Sequence, residues 1–204
     1  MSARSKLVRR GFHLSVFTAV WNIVEGIVGI VSGLMSGSVA LLGFGIDSFV
    51  ESASAIIVGW RFSYEMSGQP QEKAEKAESW AAHITGILLL ILAAYLLVDS
   101  GRRLLGFGSE PESSRVGIVL TFVSLVIMPV LARAKLKTAA LLESKALRAD
   151  SYQTIACAWL SLTTLVGLAL NAALGWWWAD PASALLLVPL IVREGLEGFR
   201  PEDD

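Results

Sequence analysis

Apolar residues run along this chain in six long blocks, separated by short polar connections. The hydrocarbon core of a bilayer needs about 20 apolar residues per helix. Blocks of that length fall at roughly 12–33, 38–60, 80–101, 115–133, 145–170 and 180–199. The fourth is the shortest and carries Pro129. The sixth opens on "WWWADPAS", where Asp180 can cap the helix, Pro181 suits its first turn, and the tryptophans suit an interfacial anchor. The longest connection, "SYEMSGQPQEKAEKAESW", is polar and mixed in charge, and reads as a solvated loop leading into the first turns of helix three.

Composition agrees with this pattern. Of 204 residues, 54% are hydrophobic and 17% charged, and the mean hydropathy is +0.59. That balance suits an all-α polytopic membrane protein of six transmembrane helices rather than a soluble domain. The basic residues gather at one side of it. Fourteen of the 17 flank the N-terminus, the second-to-third and fourth-to-fifth connections and the end of helix six. Lys135 is counted among those of the fourth-to-fifth connection; Arg102, Arg103 and Arg115 fall on the other side. The positive-inside rule then sets both termini in the cytoplasm, N-in and C-in, in an inner or plasma membrane. No cleavable leader and no soluble C-terminal domain are expected, so the chain reads as one transmembrane domain. The net charge of −1 offers no field for nucleic acid, and the single Cys157 excludes an internal disulfide framework.

Chemistry enters through the acids inside the apolar blocks. Ionisable groups in hydrocarbon are costly and mark function by default. Asp47 stands near the middle of the second block, and Glu51 follows one turn later on the same face. Two carboxylates so close in low dielectric are poorly tolerated as a pair of anions unless a cation sits between them. Hard and borderline divalent ions accept carboxylate oxygens. In the fifth block, "ALRADSYQTIACAWLS" spaces Asp150, Gln153, Thr154 and Cys157 three and four apart, on one helical face. Helices two and five run in opposite directions, which brings Gln153 and Cys157 to depths comparable with Asp47 and Glu51. Taken alone, Cys157 also suits a small buried filler, and Gln153 an interhelical hydrogen bond.

These residues carry a resemblance to the cation diffusion facilitators, a family of six-helix exporters of zinc and related divalent ions. "SGSVALLGFGIDSFVE" is similar to the family's helix-two motif, with Asp47 and Glu51 in the ligand positions. "LRADSYQTIAC" is similar to its helix-five motif, with Gln153 and Cys157 in those positions, and "WWWADPASALLL" resembles the start of its sixth helix. The resemblance covers essentially the whole chain. It implies a metal site of Asp47, Glu51, Gln153 and Cys157 between helices two and five, with Asp150 one turn towards the cytoplasm, able to replace Gln153 or feed the site. Two departures stand out. No histidine occupies either motif, and the cytoplasmic domain that follows helix six in typical members is not part of this sequence. Any homodimer would therefore use membrane helices.

Other intramembrane polar residues extend the list. Glu25, with Asn22 one turn earlier, suits a relay or secondary ligand. Gly29 and Gly33 have the GxxxG spacing of close helix packing. Asp99 suits an ion pair with Arg102 or Arg103, and His13 and His83 suit wet helix ends. The expected function is export of a divalent metal ion in exchange for protons, with the metal as substrate rather than cofactor. Zinc is the first expectation; cobalt, nickel and iron also fit such ligands. No covalent chemistry and no ATP-binding loop are indicated. Two alternatives remain open, a metal-binding membrane sensor or adaptor without transport, and a transporter of a small organic cation.

Overall fold

A computed structural model describes residues 3–67, 72–107, 112, 114–197 and 199; the side chains of residues 72–86, His83 among them, fall outside it. Six helices follow one another: α1 Ala3–Ser36, α2 Val39–Ser67, α3 Glu72–Leu104, α4 Arg115–Leu142, α5 Lys145–Leu174 and α6 Ala179–Glu197. Most are longer than the apolar blocks that announce them. The polar stretch expected as a loop between helices two and three is helical on both sides, because α2 runs on to Ser67 and α3 begins at Glu72. Helix α4 passes through Pro129 and continues nine residues beyond position 133, where its apolar block ends. It therefore takes Lys135 into the helix rather than the connection.

The ends of the helices explain their bounds. Ser114 and Ser144 cap α4 and α5, each side chain accepting from a backbone N–H three residues on. Glu143 closes α4 in the left-handed conformation, φ 54°, with its N–H returning to the Ala139 carbonyl. Gly175 closes α5 in the same region, where a glycine is unstrained. Asp180 is used differently from the sequence expectation. It lies in the first turn of α6, but its carboxylate accepts from Ser38 Oγ and from the Val39 N–H, 2.9 Å away, at the start of α2. Ser38 in turn accepts from Leu41 N–H. The anion thus sits at the positive end of the α2 dipole and ties α6 to α2. On α3, Arg103 bonds Asp99 and donates to the Gly37 carbonyl, holding the same corner.

The six helices close a ring in the order α1, α2, α3, α6, α5, α4, and α2 also meets α5 and α6 across its interior. Many large apolar side chains point outward, including Val20, Ile27, Val31, Ile91, Val119, Val130 and Leu186. Among the described residues, α1, α2, α4 and α5 are long and apolar enough to cross a membrane. Apolar side chains out and polar side chains in is the inverse of a soluble bundle, and it suits hydrocarbon.

Helices α1 and α2 meet through glycines. A Cβ on Gly29 would stand 3.0 Å from Gly45 Cα, and one on Gly33 would stand 2.9 Å from Leu42 N. A Cβ on Gly45 would stand 2.7 Å from Ile30 N. Those neighbours are backbone atoms and cannot rotate away. Gly45→Val is therefore expected to force the helices apart and to destabilise the fold by about 1–3 kcal/mol. Gly101→Ala, where nothing lies within 4 Å, should be neutral or slightly stabilising. Thermal unfolding of the two variants in detergent checks the contrast.

Candidate functional site

The interior is layered along the helix axes. One apolar cluster contains Phe44, Val50, Met128, Leu131, Cys157 and Leu160; a second contains Val58, Phe62, Ala139, Leu142, Ala146 and Leu147. Between them lies a polar band from α2, α4 and α5. Its members are Glu51, Lys135, Asp150 and Thr154, all buried. Glu51 Oε1 accepts from Thr154 Oγ1 at 2.6 Å, and Thr154 Oγ1 accepts from Lys135 Nζ at 2.9 Å. The Lys135 ammonium also stands 2.7 Å from Asp150 Oδ2, as an ion pair rather than a directed hydrogen bond. Ser54 Oγ reaches Asp150 Oδ1 at 3.4 Å.

The direction of these bonds follows from donor chemistry. An ammonium only donates, so it takes a lone pair of Thr154. The one hydroxyl proton has two acceptors in reach, and Glu51 Oε1 at 2.6 Å is nearer than the Asp150 carbonyl at 3.1 Å. A single relay thus runs from α4 through α5 to α2, and charge-assisted bonds of this kind are among the stronger ones.

On the other side of this band, Asp47 lies one turn before Glu51 on the same buried face of α2. Glu25, buried on α1, accepts from Ser124 Oγ of α4. Cys157 is buried in the neighbouring apolar cluster, three residues after Thr154 on α5. Asp47 Oδ1, Glu51 Oε2, Glu25 Oε2 and both amide atoms of Asn22 have no hydrogen-bond partner among the described residues. Buried polar atoms are normally satisfied, so this group of orphaned atoms, all acceptors except the Asn22 amide nitrogen, calls for an explanation.

The structure thus brings Asp47, Glu51, Asp150 and Cys157 to the interior, and buries Glu25 and Asn22 of α1 as well. Gln153 is placed apart from these: it is half-buried at the edge of the α5 face, and Thr154 takes the inner position. Among the described residues, no three His, Cys, Asp or Glu groups come close enough together to hold a metal ion in this arrangement. Asp150 is held by Lys135, a residue the sequence reading assigned to a cytoplasmic connection. The signal that could have found Lys135 is the stripe Met128, Leu131, Lys135, Thr138 and Leu142, spaced three and four apart and buried throughout.

Helical membrane architecture with a buried acidic interior defines a class, and comparison with known proteins defines the family. The family model for the cation efflux transmembrane domain matches residues 15–202, and the chain belongs to that family. It is 30% identical to an uncharacterized transporter of Synechocystis sp., over 74% of this chain and 49% of the relative. It is 28% identical to the cation-efflux pump FieF of Shewanella oneidensis, over 95% of this chain and 65% of the pump. A cadmium, cobalt and zinc/H(+)-K(+) antiporter of Bacillus velezensis is 22% identical, over 83% of this chain and 54% of its own length. The chain spans about half to two thirds of the length of these relatives.

Thr154 is the element of the site most open to a clean test. Thr154→Val keeps the shape and removes the hydroxyl that joins Lys135 to Glu51. The expected cost is about 1–3 kcal/mol, from leaving buried polar groups without their partner. Thr154→Ser should retain most of the stability. Unfolding of the two variants in detergent, compared with the parent, measures the difference.

Proposed function

We propose that the chain is a membrane transporter that exports a divalent metal ion, with both termini in the cytoplasm and protons moving the opposite way. One observation carries the reading. Glu25, Asp47, Glu51 and Asp150 share the interior, and among the described residues Lys135 is the one buried base opposite them. The acids outnumber the base, and orphaned carboxylate oxygens of Asp47 and Glu51 stand one turn apart on α2. Such a group is stabilised by binding either a cation or protons, and exchange of one for the other is the chemistry of an antiporter.

Asp47 and Glu51 supply the oxygens in this reading. From α5, Cys157 adds a sulfur and Gln153 an amide oxygen, once the helices draw together around the ion. Glu25 and Asn22 serve as a relay or secondary ligand. Carboxylate with one thiolate suits zinc and its borderline neighbours cobalt, nickel and iron. The names of the pump and the antiporter among the relatives agree with this class of substrate. The chemistry needs no covalent step, so the reading is not that of an enzyme.

A second reading is favoured by the ion pair itself. With Lys135 seated on Asp150, and with Gln153 and Cys157 in the helix-five positions, the protein would bind a metal ion as a sensor or adaptor and not move it. Flux separates the two. In liposomes enclosing a metal-sensitive dye, with an imposed pH gradient, the parent chain should move zinc or cobalt. Asp47→Asn and Glu51→Gln should each lower the initial rate at least about tenfold, the equivalent of 1.4 kcal/mol. Cys157→Ser should change which metal is preferred. Binding without flux in the parent chain would select the sensor reading, and undiminished flux in the two acid variants would sink the site.

A further inference from the structure

The network around Lys135 has the composition of a cation site that already holds a cation. Asp150 Oδ2 and Thr154 Oγ1 stand 2.7 and 2.9 Å from one ammonium, and the Thr154 hydroxyl hands the polarisation on to Glu51. These donors are two carboxylates and a hydroxyl, the oxygen chemistry that a divalent ion also selects. The ammonium is fully buried between two apolar layers. It reaches the site on a flexible four-carbon stem from a different helix, and so can leave without moving the oxygens.

Resting on the export reading above, we propose that Lys135 is a tethered cation that fills an inner subsite formed by Asp150, Thr154 and Glu51, and that an incoming divalent ion binds by displacing it. The lysine then acts as a specificity-determining residue. An ion enters only if it holds the acids more strongly than the ammonium does, which selects divalent over monovalent cations. The same ammonium is the tie between α4, α5 and α2, so its displacement unties those helices at the moment the ion binds. Before that moment, Asp150 is withheld from the ligand set, which accounts for the lack of a closed metal cluster in this arrangement.

The consequence is a reduced apparent affinity. A subsite occupied by its own lysine about 90% of the time binds an external ion about tenfold more weakly than the bare site. The test uses the full chain in detergent, with zinc and cobalt titrated calorimetrically. Lys135→Met should bind zinc at least about tenfold more tightly than the parent. Because a lone Asp150 carboxylate in that variant threatens folding, the charge-balanced comparison runs alongside. Adding Lys135→Met to Asp150→Asn should tighten zinc binding relative to Asp150→Asn alone. In the parent chain, zinc should raise acylation of Lys135 by an amine-reactive reagent, read by peptide mass spectrometry; a lysine with only a structural role would stay protected. Affinity unchanged on adding Lys135→Met to Asp150→Asn, or acylation of Lys135 indifferent to zinc, would overturn the proposal while leaving the export reading intact. Failure of the parent and every variant to bind zinc or cobalt would overturn both.

Discussion

Charge in a low-dielectric interior is the constraint on which the rest of this structure depends. Among the described residues, five acids, Glu25, Asp47, Glu51, Asp150 and Asp180, and one lysine are buried within a ring of helices whose outer face is apolar. Burial makes a charged group costly unless it is paired or hydrogen-bonded. Four find at least one partner. Asp180 accepts from Ser38 and Val39, Asp150 holds the Lys135 ammonium, and one oxygen each of Glu51 and Glu25 accepts from Thr154 and Ser124. The other oxygen of Glu51 and Oδ1 of Asp47 do not. The orphaned oxygens of Asp47 and Glu51 stand one turn apart along α2, and in the transport reading they are where the mobile cation binds.

The packing around α2 follows from the same need. A helix carrying two acids is stable inside the ring only if its neighbours hold it firmly. Glycines at positions 29, 33 and 45 let α1 approach it at backbone distance. Ser38, just before it, and Asp180, from across the bundle, cap its first turn. Arg103 pins the Gly37 carbonyl immediately before it. Two apolar clusters then flank the polar band on either side. In the transport reading this arrangement divides labour, with α2 braced by α1 and α6 and the lysine tie to α4 and α5 left able to release.

Much of this was legible in the amino-acid sequence, for physical reasons that can be named. Hydrocarbon demands long apolar blocks, so all six helices announce themselves. Asp47 and Glu51 are visible because acids there are expensive, and the glycines of α1 because their spacing matches one face of a helix. Lys135 was not visible, because "RAKLK" has the look of a helix running out into a basic loop, and charge counting assigned it to the cytoplasm. Its burial depends on Asp150, a partner on another helix, and no local pattern carries that pairing. Asp180 was recognised as a cap, but the helix it serves is α2 rather than its own, again because the partner is distant in sequence. Gln153 and Thr154 are adjacent, and spacing alone cannot decide which faces inward; the packing of α5 against α2 and α4 decides it.

The central proposal, that Asp47 and Glu51 bind the transported ion through their orphaned carboxylate oxygens, is tested most directly by the bound metal's own coordination shell. X-ray absorption spectroscopy of the zinc-loaded protein should show oxygen neighbours at about 2.0–2.2 Å, with at most one sulfur at about 2.3 Å. The oxygen shell should be lost when Asp47 and Glu51 are both replaced by their amides. A zinc shell that is unchanged in that double variant would place the ion elsewhere and contradict the account.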